Sequence, residues 1–140
     1  MNFKLFKACI LSLLLLGNGA GYAASGQAVV DADARNVAEQ YFAALSAGDR
    51  ETLLSLLAGD ELIRSESQLR DPAYSQFLTS RYSNARLEIA GSGILGDFRT
   101  VDIIIWLNEV ESIKERLILR ATESPAGTTY HIVSREEINI

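Results

Sequence analysis

Among the side chains whose types suit acid–base chemistry, Asp102, His131 and Tyr41 form the candidate trio. His131 is the sole histidine of the 140-residue chain, and a histidine base works with a carboxylate partner within hydrogen-bond reach. Asp102 is the candidate partner. It interrupts the apolar run Val-Asp-Ile-Ile-Ile-Trp-Leu over residues 101–107, and an acid in such a run faces either a pocket or solvent. With Tyr41 as hydrogen-bond donor, the trio has the makings of a lyase or isomerase site. The plainer reading makes His131 a sheet-surface histidine and Asp102 a solvated acid, because the sequence leaves open which sheet face each occupies. A second set, Tyr41, Tyr74, Phe77 and Trp106, suits the lining of a pocket for an apolar or aromatic ligand, although aromatics at helical and strand spacing also serve as core.

Other chemistries find no residues to carry them. Gly91-Ser92-Gly93 lacks the strand-turn-helix setting of a nucleophilic serine. The acid pairs Asp31/Asp33, Asp60/Glu61 and Glu136/Glu137 stand where helix caps and solvated turns need them, and with one histidine they make no metal-ligand set. No glycine loop suited to a phosphate occurs. No metal and no cofactor is expected.

The elements that must position these residues are organised around residues 101–107, where six of seven side chains are apolar. A run that short and that rich in β-branched residues reads as a strand buried on both faces, worth on the order of 10 kcal/mol before chain entropy is subtracted. Ahead of it, Val30, Ala34, Val37, Ala38, Tyr41, Phe42 and Leu45 recur at three- and four-residue steps up to Gly48, predicting a first helix capped by Asp31 or Asp33. Asp49 caps a second helix over 50–57, which Gly59 ends. Residues 62–66 are compatible with a short strand. Asp71-Pro72 starts a third helix that runs through Tyr74, Phe77 and Leu78 to Tyr82. From Arg86 the period changes to two. Leu87, Ile89 and Ile94 flank a bulge or bend at Gly91-Ser92-Gly93, Gly96-Asp97 turns into the apolar strand, and turns at 108–112 and 124–127 complete a four-stranded antiparallel meander. In the last strand Tyr130 and Ile132 share one side, His131 and Val133 the other.

The N-terminus has the order of a secretory signal. Lys4 and Lys7 precede an apolar block over 8–16, and Gly21-Tyr22-Ala23-Ala24 offers small residues at −3 and −1 for cleavage after Ala23. The block is too short for a comfortable membrane anchor, and the single cysteine, Cys9, lies inside it. Cleavage leaves residues 24–140 as one thiol-free domain, expected in the periplasm or outside the cell. Losing those two lysines takes the formal charge from −5 to −7, which disfavours nucleic acid and anionic membranes as partners.

This order of helices and strands resembles the NTF2-like (SnoaL-like, cone-shaped α+β) superfamily. The residues carrying the resemblance are Tyr41-Phe42-Ala43-Ala44-Leu45-Ser46-Ala47-Gly48-Asp49, Leu53-Leu54-Ser55-Leu56-Leu57, Gly96-Asp97 before the strand ending in Trp106, and Gly127-Thr128-Thr129-Tyr130-His131-Ile132-Val133. It implies an exported bacterial member with a curved antiparallel sheet of four to five strands wrapped around three N-terminal helices and a pocket between them. The superfamily holds isomerases, dehydratases, cyclases, transport adaptors and ligand-binding modules, so the fold leaves activity open. Its ketosteroid-isomerase branch places an Asp-Pro on the short strand after the second helix. Here Ser65 and Glu66 stand in that place, which counts against that mechanism, with Glu61 or Glu66 as substitute carboxylates. The expectation is a non-enzymatic module that binds a small apolar ligand or a protein partner and pairs as a homodimer through a sheet face bearing Ile104 and Trp106. The alternatives are a lyase or isomerase using Asp102, His131 and Tyr41, and a subunit of an envelope assembly, since periplasmic domains of type IV secretion scaffolds also look like this fold.

Overall fold

A computed structural model of the chain describes residues 30–140. The signal expected over 1–23 and the cleavage site after Ala23 lie outside the described residues. Four helices come first: α1 (Ala32–Ala47), α2 (Arg50–Leu56), α3 (Gly59–Leu69) and α4 (Tyr74–Tyr82). Four strands follow: β1 (Arg86–Leu95), β2 (Phe98–Trp106), β3 (Ser112–Ser124) and β4 (Gly127–Glu137), antiparallel and in the order β1-β2-β3-β4. The fold is α+β, with the four helices of the described residues ahead of the sheet.

The first two helices form for the reasons their sequence gives. Asp31 Oδ2 accepts the Ala34 N–H at 3.3 Å, Asp49 Oδ1 accepts that of Thr52 at 3.1 Å, and α1 buries Val37, Ala38, Tyr41, Ala44 and Leu45 as one stripe. Gly48, at φ 66°, stops α1 in the left-handed conformation.

The segment after α2 differs from expectation. Residues 62–66 are helical, inside α3, and Gly59 (φ 59°) opens that helix, while α2 ends with Leu57 in an extended conformation. The buried positions of α3 are Glu61, Ser65 and Leu69, spaced by four. The stripe is helical, but its first two members are polar, so hydrophobic periodicity cannot reveal it. The fifth strand shrinks to a single residue: Leu57 bridges Ile132 in parallel, and the Ala58 N–H donates to the Ile132 carbonyl at 3.0 Å.

The apolar strand is interior to the sheet, between β1 and β3, but it is buried on one face only. Val101, Ile103 and Ile105 are at most 1% exposed, whereas Asp102, Ile104 and Trp106 between them are half-buried. The buried set packs under the helices, in register with Ile89 and Leu87 of β1 and with Leu117 and Ile113 of β3. With helices on a single face, three buried side chains contribute, roughly 5–9 kcal/mol in place of the larger sum.

Two register shifts shape the sheet. The ladder slips by one residue at Ala90 in β1, just ahead of Gly91, and again at Val133 in β4. The second has the larger consequence. Ile132 pairs with Leu119 and faces the helices, yet Arg135 pairs with Leu117 and faces them too. Strict alternation would place the two on opposite faces, so the extra residue at Val133 turns Arg135 inward.

Candidate functional site

The inward turn of Arg135 builds a polar cluster between β4, α1 and α3. Its Nε donates to Glu61 Oε2 at 2.7 Å, Nη1 to the Tyr41 hydroxyl at 3.0 Å, and Nη2 to Ser65 Oγ at 3.1 Å. Ser65 in turn donates to Glu61 Oε2 at 3.3 Å, and Arg64 reaches Glu61 Oε1 from the solvent side at 2.6 Å. Tyr41, 2% exposed, donates to Glu115 Oε1 at 3.1 Å. Each group holds another in place, which is what buried charges require.

The electrostatics follow from burial and from who faces whom. Burial pushes Glu61 upward, but the charges and hydrogen bonds of Arg135 and Arg64 outweigh it and hold the carboxyl below its ordinary value. Burial works against the charged form of Arg135, and Tyr41 and Glu61 more than offset it, so the guanidinium stays ionised. Burial and the neighbouring Glu115 carboxylate push the Tyr41 hydroxyl far up, keeping it a neutral donor. Glu115 itself is raised, chiefly by burial. Arg135 and the Tyr41 hydrogen bond pull it back in part, while Glu61 and its cross-strand neighbour Glu137 push it further up.

A raised carboxyl favours the folded protein while it is protonated in both states, below about its ordinary 4.5, and that contribution is lost as pH rises through the raised value. Glu115→Gln keeps an acceptor for Tyr41 and cannot ionise. The variant and the parent should therefore melt together near pH 4, and the variant should become the more stable as pH climbs to 8. Thermal melts across that range check it, and a gap independent of pH would contradict it.

The polar cluster forms one end of a small cavity of about 30 Å³ lined by residues of α1 to α4 and β4, with Leu45, Leu53 and Leu78 among its apolar walls and Ser65, Gln68 and Arg135 among its polar ones. That is room for about one water, whereas small-molecule sites are roughly 300–1,000 Å³. The expected pocket set divides here. Tyr41 and Tyr74 line this cavity. Phe77 stacks on Tyr74 at 5.3 Å between ring centroids and is half exposed. Trp106 is on the other face of the sheet, donating to Glu88 Oε1 at 2.9 Å under the Arg86 guanidinium.

The trio Asp102, His131 and Tyr41 is not brought together. Asp102 points away from the helices and is held bidentately by Arg116, at 2.7 and 2.9 Å. Tyr41 lies on the helix side, bound to Arg135 and Glu115. His131 lies opposite Arg120, out of phase with the inward Ile132, at the rim of a separate groove. Acid, base and donor therefore converge on no common cavity. Among the described residues, no group of three or more His, Cys, Asp or Glu side chains is placed to hold a metal ion.

The groove beside His131 has a volume of about 380 Å³ and runs between α1, the end of α2 and the start of β4. Asp33, Asn36 and Gln40 of α1 form one wall, Ser55 and Leu56 the end, and residues 128–131 the other wall. A shallower cleft of about 420 Å³ lies beside Trp106 and the β2–β3 turn. Arg135 and Glu115 escape a reading of motifs, because neither sits in a pattern of recognisable chemistry. The spacing by four of Glu61, Ser65 and Leu69 was the available signal for the α3 side of the cluster.

No family model matches the chain, and no curated protein matches it in sequence. Among solved structures it is similar to the solution structure of a SEC-C motif containing protein from Rhodopseudomonas palustris, with 15% identity, 74% of this chain and 77% of that chain covered, and a TM-score of 0.49. It is also similar to a protein described as Rd1NTF2_04 with long sheet, with 16% identity, 75% and 99% covered, and a TM-score of 0.46. At such scores neither likeness assigns this chain a family or a ligand.

Proposed function

We propose that this protein is an exported, non-enzymatic NTF2-like module that binds a protein partner in the groove between α1 and β4. The export signal and the order of elements read from the sequence support the address and the family. The observation that carries the binding mode is the contrast between the inner cavity and the α1–β4 groove, which unlike the shallower cleft beside Trp106 runs between helix and strand. The inner cavity takes about one water and its polar ends are engaged with each other, while the outer groove, at about 380 Å³, is of binding-site size and lined by polar tips on rigid elements. Membership of an envelope assembly is one form such a partnership takes.

NMR spectra of isotope-labelled residues 24–140, recorded with and without concentrated envelope extract, test this. Perturbations at the amides of Asn36, Gln40, Thr129 and His131 are the expected result. Perturbations confined to the methyls of Leu45, Leu53 and Leu78 would move the site to the inner cavity and make a small ligand the partner, overturning the proposal.

A further inference from the structure

The β4 wall of the groove is a strand edge, and its backbone decides what it can accept. The Ile132 carbonyl points away from β3, because it accepts from Ala58. Backbone groups of an antiparallel edge strand alternate between the neighbour and the open side, so those of Thr128 and Tyr130 also point away from β3. Leu57 covers the edge at Ile132 alone, and the chain then leaves into α3. Two N–H and two C=O groups therefore face the groove with no strand beside them among the described residues.

Proteins ordinarily blunt such an edge with proline, lysine or a bulge. The β1 edge has a bulge at Ala90 and glycines at 91 and 93. Residues 128–131, Thr-Thr-Tyr-His, lie before the strand's own bulge at Val133 and carry neither proline nor lysine, and Thr and Tyr are strong strand formers. The edge is also recessed, with Asn36 and Gln40 of α1 and Ser55 of α2 beside it. An added strand would lie in that recess at the 4.7–4.9 Å spacing of a sheet. A second copy of the chain would bring its own helices into the same space. The rim carries the Asp33 carboxylate, with the Arg99 guanidinium nearby over the Tyr130 ring but already paired to Asp31 at 2.7 Å, and the whole chain is acidic, at a formal −5.

We infer that the groove takes an extended, basic peptide segment of a partner, which adds as a strand to the β4 edge at Thr128 and Tyr130. This rests on the partner-binding reading above and specifies its chemistry. Main-chain hydrogen bonds supply affinity in this mode, and the side chains along the added strand supply selectivity. A lysine or arginine of the segment pairs with Asp33, while the amides of Asn36 and Gln40 serve its polar groups.

The probe is the peptide acetyl-Thr-Val-Lys-Val-Thr-amide, titrated into labelled residues 24–140. The Thr128 and Tyr130 amides should shift and gain protection from hydrogen exchange. N-methylation of alternate peptide nitrogens should weaken binding by about tenfold or more, as should Thr128→Pro, which removes an outward N–H and, on the β3 side, only the exposed hydroxyl bond to Glu123. Melting of the proline variant at the parent temperature shows that its fold is intact. Asp33→Asn should weaken the lysine peptide about threefold and leave a glutamine-substituted peptide unchanged. No shift at Thr128 and Tyr130 at millimolar peptide, or equal binding of the N-methylated form, overturns the inference. So does a concentration-dependent dimer that Thr128→Pro abolishes, which makes a second copy the occupant. Binding by residues 30–140 but not by 24–140 also overturns it, with residues 24–29 of the chain itself as occupant. If envelope extract perturbs the groove while the peptides do not bind, the partner-binding reading stands and strand addition alone fails.

Discussion

Arg135→Met is expected to cost about 3–5 kcal/mol of folding stability, the largest loss available to a single side chain outside the apolar core. The substitution keeps a long stem but removes the cation that holds Glu61, Ser65 and Tyr41 together. Glu61, whose side chain is 5% exposed, is then left, among the described residues, with the solvent-exposed Arg64 as its ionic partner. Most of the cost is an uncompensated buried charge, so it should vanish when both partners go. In the double variant Arg135→Met with Glu61→Leu, most of the loss should be recovered, giving a coupling of roughly 3 kcal/mol in a double-mutant cycle. Urea unfolding of the four proteins measures it. Additive losses would show that Arg135 acts through its stem and not through Glu61.

Gly48→Ala should cost about 3 kcal/mol, from two sources acting at one atom. Gly48 sits at φ 66°, where any side chain strains the backbone. A Cβ there would also lie 2.6 Å from the Ser75 carbonyl oxygen and 2.8 Å from Thr79 Cγ2, so α4 would have to move off α1. Gly59 offers the internal control. Its φ is 59°, but the nearest atom to its would-be Cβ is Val133 Cγ1 at 3.9 Å. Gly59→Ala should therefore show the backbone strain alone, about 1–2 kcal/mol. Chemical denaturation of the two variants separates strain from collision. Equal losses would mean that α4 yields freely.

The contrast between what could and could not be read from the sequence follows the same physics. Capped helices, glycine stops and turns are decided within a few residues, so Asp31, Gly48-Asp49 and the turns at 96–97 and 124–127 announced themselves. The strand at 101–107 was legible as a strand, but one-sided burial was not, because the number of helical layers is a property of the whole chain. Residues 62–66 are compatible with a strand in sequence because Glu61 and Ser65 of α3 occupy buried positions that Arg135, some seventy residues away, makes tolerable. Arg135 was invisible in turn because an alternating reading of β4 from Ile132 turns it outward. Residue types alone suggest the trio Asp102, His131 and Tyr41, but they do not specify sheet faces, and Arg116 claims the first of them.

The extra residue at Val133 has an evolutionary implication. It acts as a parity bit: one codon more or fewer decides whether everything downstream in that strand reads odd or even. Two homologues with identical side chains around this point but different lengths would present opposite chemistry to their interiors. A single-codon gap here, which sequence comparison scores as minor, is therefore the event that creates or erases the internal arginine.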